Sequence, residues 1–132
     1  MSELTPGLNA EISISVSEED TASRWGSGLV PVYSTPALVG LVEAAAVRVL
    51  EGRLEAGQTS VGGHIDIRHL AATPVGMNVR ARAELIARDG RRLTFKVEAW
   101  DELEKIGEGL HERFVIDTEK FVSRARAKQK SA

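Results

Sequence analysis

Apolar and polar residues alternate along most of this chain, and the alternation breaks in one place. Residues 8–16 (LNAEISISV) repeat every second position around Ile12, Ile14 and Val16, which predicts a first strand. Residues 60–70 (SVGGHIDIRHL) alternate again. Ile65, Ile67 and His69 share one face, and His64, Asp66 and Arg68 the other. Residues 78–88 set Val79, Ala81, Ala83 and Leu85 against charged neighbours, and residues 92–100 do the same with Leu93, Phe95, Val97 and Ala99. Asp89-Gly90 between them is a hairpin signal. A last strand is predicted over 105–117. Residues 17–33 carry two glycines, a proline and no clean period. They read as a long loop with room for one helical turn, and loops of that length are often lids or binding segments.

The break is STPALVGLVEAAAVRVL, residues 34–50. Ser34 or Thr35 makes a good N-cap, and Pro36 stands at the first helical position, where proline is tolerated. The helix is predicted to run to about Leu54, with Gly57 helping to end it. Between Pro36 and Leu50 only Glu43 and Arg48 are charged, and a helix apolar nearly all round is a buried one. One helix and about five antiparallel strands make an α+β layer arrangement. A single sheet cannot cover every side of such a helix. A second copy of the chain is the simplest cover, so a homodimer is expected. The basic tail, TEKFVSRARAKQKSA, is expected to hold a short helical turn and to fray beyond about residue 122.

Composition narrows the function. The chain has 132 residues, 42% of them hydrophobic, enough for one domain over 1–132 with one core. A net charge of −2 gives no electrostatic argument for a nucleic-acid partner. The absence of cysteine excludes a disulfide framework, a thiolate metal site and a cysteine nucleophile, and fits a cytoplasmic protein. No apolar run is long enough for a membrane span, and the N-terminus lacks a signal-peptide pattern. No metal and no cofactor are expected. His64 and His69 are five apart on a strand and face opposite sides. Gly62-Gly63 is too short for a phosphate loop and reads as a bulge or as a place where a ligand approaches closely.

Three residues stand out as chemistry. Burying the Glu43 carboxylate without partners costs several kcal/mol. It is therefore paired, at an exposed edge, or a positioned base or nucleophile in a pocket. Arg48 lies about 140° around the helix from it and is a poor partner. Thr35 either caps the helix or offers a hydroxyl beside free backbone N–H groups that can hold an oxyanion. His69 lies on the apolar face. It is either a satisfied core histidine or, facing a helix with a buried Glu, a proton-transfer partner.

The stretches STPALVGLVEAAAVRVL, RHLAATPVG, DGRRLTFKV and IGEGLHERFVI, in this order from about Tyr33 to Phe121, together resemble the fluoroacetyl-CoA thioesterase family. The resemblance implies a hotdog fold, a long helix wrapped by an antiparallel sheet, working as a dimer on acyl-CoA. It implies a catalytic set of Thr35, Glu43 and His69, with Gly62 at the active site. Gly63, Trp25 and Leu29 are the further expected substrate contacts. The best-known member has a phenylalanine gate in the loop before the helix. Here Gly26 and Leu29 stand at about those places, with Trp25 nearby, so the expected substrate is a short or medium acyl-CoA. A non-catalytic acyl-CoA or small-ligand binding protein is the alternative.

Overall fold

The structure, a computed structural model, describes residues 3–131. The alternating segments form five strands: β1 (Asn9–Ser15), β2 (Gln58–His69), β3 (Asn78–Asp89), β4 (Arg92–Trp100) and β5 (Lys105–Asp117). They make one sheet in the order β1-β3-β4-β5-β2, every neighbouring pair antiparallel. The helices are α1 (Ala22–Trp25), α2 (Thr35–Val49) and α3 (Thr118–Ser131). No helix among the described residues is long and apolar enough to cross a membrane.

Helix α2 packs on the inner face of the sheet. Leu38, Leu41, Val42, Ala45, Ala46 and Val49 are buried, and they join Val79, Ala81, Ala83, Leu85, Leu93, Phe95, Val97 and Ala99 in one core. The period of two on β3 and β4 is what delivers those strand residues to a single face. The helix ends earlier than the sequence predicts, at Val49 instead of about Leu54. Gly52 supplies the reason. It takes a φ of 72°, a left-handed turn that stops the helix five residues before Gly57.

The other side of α2 has no cover among the described residues. Gly40, Ala44, Val47 and Arg48 are exposed, although three of the four are small or apolar. Arg48 reaches away from Glu43, and its Nη1 donates to the Glu11 carbonyl at 3.0 Å.

Among the described residues β2 is an edge strand paired only with β5, and its register slips at a bulge between Gly62 and His64. The pairing is close. A Cβ on Gly109 would run into the Asp66 carbonyl, so only glycine fits there.

The 17–33 loop is tied down at both ends of its course. It holds a 3-10 turn at Glu18–Asp20 and the one-turn α1. Tyr33 N–H donates to the Thr73 carbonyl at 2.8 Å, and Ser34 N–H to the Asp20 carbonyl at 2.8 Å. Thr73, fully buried, donates its hydroxyl to Asp101 Oδ2 at 2.9 Å. These bonds set the start of α2 beside the end of β2.

The tail differs from expectation. Instead of fraying, it is helical to Ser131, with its side chains exposed as far as Lys130. Its Ala, Lys, Arg and Glu content favours a helix, it has no Gly or Pro, and Lys128 and Lys130 complement the C-terminal end of the dipole.

Candidate active site

The first turn of α2 divides its labour between two adjacent hydroxyls. Ser34 is the cap. Its Oγ accepts from Ala37 N–H at 3.1 Å, and its carbonyl accepts from Leu38 N–H at 3.0 Å. Thr35 is therefore the first helical residue and not the cap. Pro36 has no N–H, so among the described residues the Thr35 amide is the one donor of this turn left over. Sequence reasoning expected several free N–H groups here; the Ser34 cap and Pro36 reduce them to one.

Relieved of capping, the Thr35 hydroxyl lies 2.8 Å from His69 Nδ1. When the hydroxyl donates, Nδ1 is the acceptor and Nε2 carries the ring proton. His69 Nε2 is buried and makes no hydrogen bond of good geometry among the described residues. Burial pushes the pKa of His69 down, against an opposite pull from the Ala71 backbone. The imidazole is thus biased toward its neutral form, the form that accepts a proton. The pair borders a cavity of about 350 Å³ that Val32, Ser34, Leu70 and Ala71 also line.

Glu43 is in a second cluster. It stands eight residues along α2 from Thr35, about 12 Å along the axis. Its side chain is 39% exposed, so the carboxylate is at a boundary and is not buried in this chain. Arg113 Nη1 approaches Glu43 Oε2 to 3.7 Å. Arg113 is itself buried and fixed: Nε donates to Ser60 Oγ at 2.9 Å, Nη2 to the Ser60 carbonyl at 3.1 Å, and Nη1 to His111 Nε2 at 3.1 Å. Burial pulls its pKa down and the Glu43 carboxylate opposes that, and the guanidinium stays charged. Gly62 completes the cluster. A Cβ there would lie 3.2 Å from Glu43 Oε2 and from His111 Cε1.

The structure joins Thr35 to His69 and Gly62 to Glu43. It does not join Glu43 to His69 within one chain: the partner of His69 is Thr35, and that of Glu43 is Arg113. Gly63 faces away from the cluster, against the Phe114 ring on the outer face of the sheet. Trp25 and Leu29 are 54% and 97% exposed in the loop, and neither lines the cavity beside Thr35. A larger groove of about 470 Å³ under α3, lined by Arg91, Ile116, Phe121 and Arg124 among others, shares no residue with either cluster.

Sequence reasoning missed Arg113, His111 and Ser60. The β5 alternation conceals them, because its apolar set, Leu110, Phe114 and Ile116, reads as the inner face. The structure buries the opposite set, His111, Arg113 and Val115. The glycines at 107 and 109 were the available signal. They share parity with His111 and pair with His69 and Ile67, the inner face of β2.

Residues 16–119 match the family described as fluoroacetyl-CoA-specific thioesterase. The fluoroacetyl-CoA thioesterase of Streptantibioticus cattleyicolor is 46% identical over 97 residues, covering 74% of this chain and 70% of that protein. Among solved structures, the fluoroacetyl-CoA thioesterase FlK superposes with a TM-score of 0.92 at 36% identity, covering 96% of this chain and 98% of that one. A Thermus thermophilus hypothetical protein, a thioesterase superfamily member, gives 0.92 at 31% identity over 99% and 97%. A mutant of FlK solved with fluoroacetate and CoA gives 0.85 at 37% identity over 89% and 99%.

Proposed function

Because this chain belongs to the fluoroacetyl-CoA-specific thioesterase family, we propose that it hydrolyses a short or medium acyl-CoA thioester to the free acid and CoA. The observation that carries this reading is the 2.8 Å contact between the Thr35 hydroxyl and His69 at the start of α2. A hydroxyl, a neutral imidazole and a spare backbone N–H at a helix N-terminus suit an acyl carbonyl that becomes an oxyanion. Water adds to the carbonyl carbon, the C–S bond breaks, and the proton lost by the water ends on the CoA sulfur. His69 carries that proton, and Thr35 orients the imidazole and the carbonyl. Glu43 draws the proton from the attacking water and so feeds His69. In the alternative route Glu43 attacks the carbonyl carbon first, and CoA leaves as the C–S bond breaks. Water then cleaves the acyl–Glu43 anhydride to free acid and carboxylate, its proton again ending on the CoA sulfur. Gly62, Trp25 and Leu29 are the substrate contacts of this reading; Gly63, turned toward Phe114 on the outer face, is not one.

The 12 Å between Thr35 and Glu43 is bridged by a homodimer. A two-fold axis crossing α2 near its midpoint, at Val39-Gly40, would set Thr35 and His69 of one protomer opposite the partner subunit's Glu43, twice over. The uncovered Gly40, Ala44 and Val47 face and the free edge of β2 support such a pairing. A cytoplasmic location belongs to the same reading.

That same separation favours a second reading, an acyl-CoA binding protein without turnover. Thiol release from a panel of acyl-CoA esters, fluoroacetyl-CoA included, decides between them. The enzyme reading expects turnover of at least one ester and its loss in Glu43→Ala and His69→Ala. Saturable binding without release of thiol would leave only the binding reading.

A further inference from the structure

We propose that His111 is a positioning residue for the Glu43 carboxylate, acting through Arg113 and only while its own ring is neutral. This rests on the reading of Glu43 as the catalytic carboxylate. Two contacts fix the ring independently. Arg113 can only donate, so His111 Nε2, 3.1 Å from Arg113 Nη1, is an acceptor and carries no proton. The His64 carbonyl can only accept, so His111 Nδ1, 2.7 Å from it, carries the proton and donates. Both bonds demand the same neutral tautomer. With His111 accepting from Nη1 and Ser60 accepting from Nε and Nη2, the guanidinium has one orientation, and in it Nη1 faces Glu43 Oε2.

A proton on Nε2 would set an N–H of a cation against an N–H of Arg113, at a site that is 1% exposed. The imidazolium and the guanidinium would then repel at 3.1 Å, and the bond that aims Nη1 would be lost. The charged and titratable groups facing His111 are Glu43 from α2, His64 from β2 and Arg113 from β5. β4 contributes the Phe95 ring, 6.4 Å away between centroids. Burial, then Arg113, keep the ring neutral near neutral pH, while the His64 carbonyl and Glu43 pull the other way.

The test compares His111→Leu, which deletes the acceptor, with His111→Gln, which keeps an acceptor and cannot titrate. In thiol-release assays, His111→Leu is expected to lower kcat about 30-fold with KM nearly unchanged, and His111→Gln to recover most of that loss. On the acid side, log kcat of the wild type should fall with a slope of about two, for His69 and His111, and that of His111→Gln with a slope of about one. A wild-type kcat in His111→Leu, or an unchanged slope in His111→Gln, overturns the proposal. Long-range ¹H–¹⁵N spectra of the wild-type ring need no variant to fold. They should show the neutral Nδ1–H tautomer, and the opposite tautomer overturns the proposal outright. Glu43→Ala separates the two levels. Full activity there sinks the role of Glu43 itself, whereas an inactive Glu43→Ala beside normal His111 variants sinks only the positioning role.

Discussion

Thr35 reaches His69 because Ser34 takes the cap: the two adjacent hydroxyls bond in opposite directions, one to Ala37 N–H and one to the imidazole. Ser34→Ala should therefore do two things. Loss of the cap lowers stability by about 1 kcal/mol, read from the urea midpoint. Thr35 then competes for the vacated Ala37 N–H, and thiol release falls beyond what the stability loss explains. A destabilised variant with an undiminished rate would show that the two hydroxyls are independent.

The adjacent glycines of β2 should respond differently. Gly62→Ala places a methyl 3.2 Å from Glu43 Oε2 and from His111 Cε1, so turnover should drop about tenfold with little change in stability. Gly63→Ala pushes on the Phe114 ring instead, and should cost about 1–3 kcal/mol of stability. Parallel melting curves and rate measurements on the two variants check this. Equal effects on rate would mean that Gly63, too, meets the substrate.

Stability should fall on mild acidification. Burial lowers the pKa of both His69 and His111 below the ordinary 6.5. Below 6.5 the unfolded chain then binds more protons than the folded one. Stability is full above that value and is lost as the pH falls through the lowered folded values. Each group contributes at most about 1.4 kcal/mol per pH unit. Urea midpoints at fixed protein concentration should decrease from about pH 7.5 to about pH 5.5, and decrease less in His111→Gln. A midpoint that is flat over that window contradicts the burial of these rings.

A charge on the uncovered side of α2 should break the proposed homodimer. Ala44→Asp and Val47→Asp change residues that are exposed in the single chain. In sedimentation they should move the protein toward the monomer mass, and turnover should fall with the dimer fraction. A monomeric wild type, or a monomeric variant that retains full turnover, would remove the composite site.

The strands were legible because a half-buried sheet writes its two faces into the sequence with a period of two. β3 and β4, from Val79 to Ala99, carry the pattern cleanly. The end of α2 was less so. Gly52 and Gly57 both offered a stop, and only the backbone shows Gly52 taking the first left-handed turn. Glu43 and His69 were visible as polar residues out of place in apolar surroundings, and Thr35 as a hydroxyl at the start of a helix. Arg113 and His111 were not, because on β5 these two polar residues face inward while Leu110, Phe114 and Ile116 face outward, which inverts the rule used to read the other strands. Which of Ser34 and Thr35 caps the helix was equally open, since either hydroxyl satisfies the same local preference.

The order of the sheet also bears on the timing of synthesis. The strand that carries Gly62 and His69 is paired with β5, where Gln58 meets Asp117 and His69 meets Gly107. A chain made from its N-terminus exposes β2 well before the segment that satisfies its backbone has left the ribosome. α2, β1, β3 and β4 can meet in the meantime, but Ser60, His111 and Arg113 cannot. The Glu43 cluster therefore waits for β5, and a chain cut short before residue 111 would have a helix and most of a core with no Arg113 site to close.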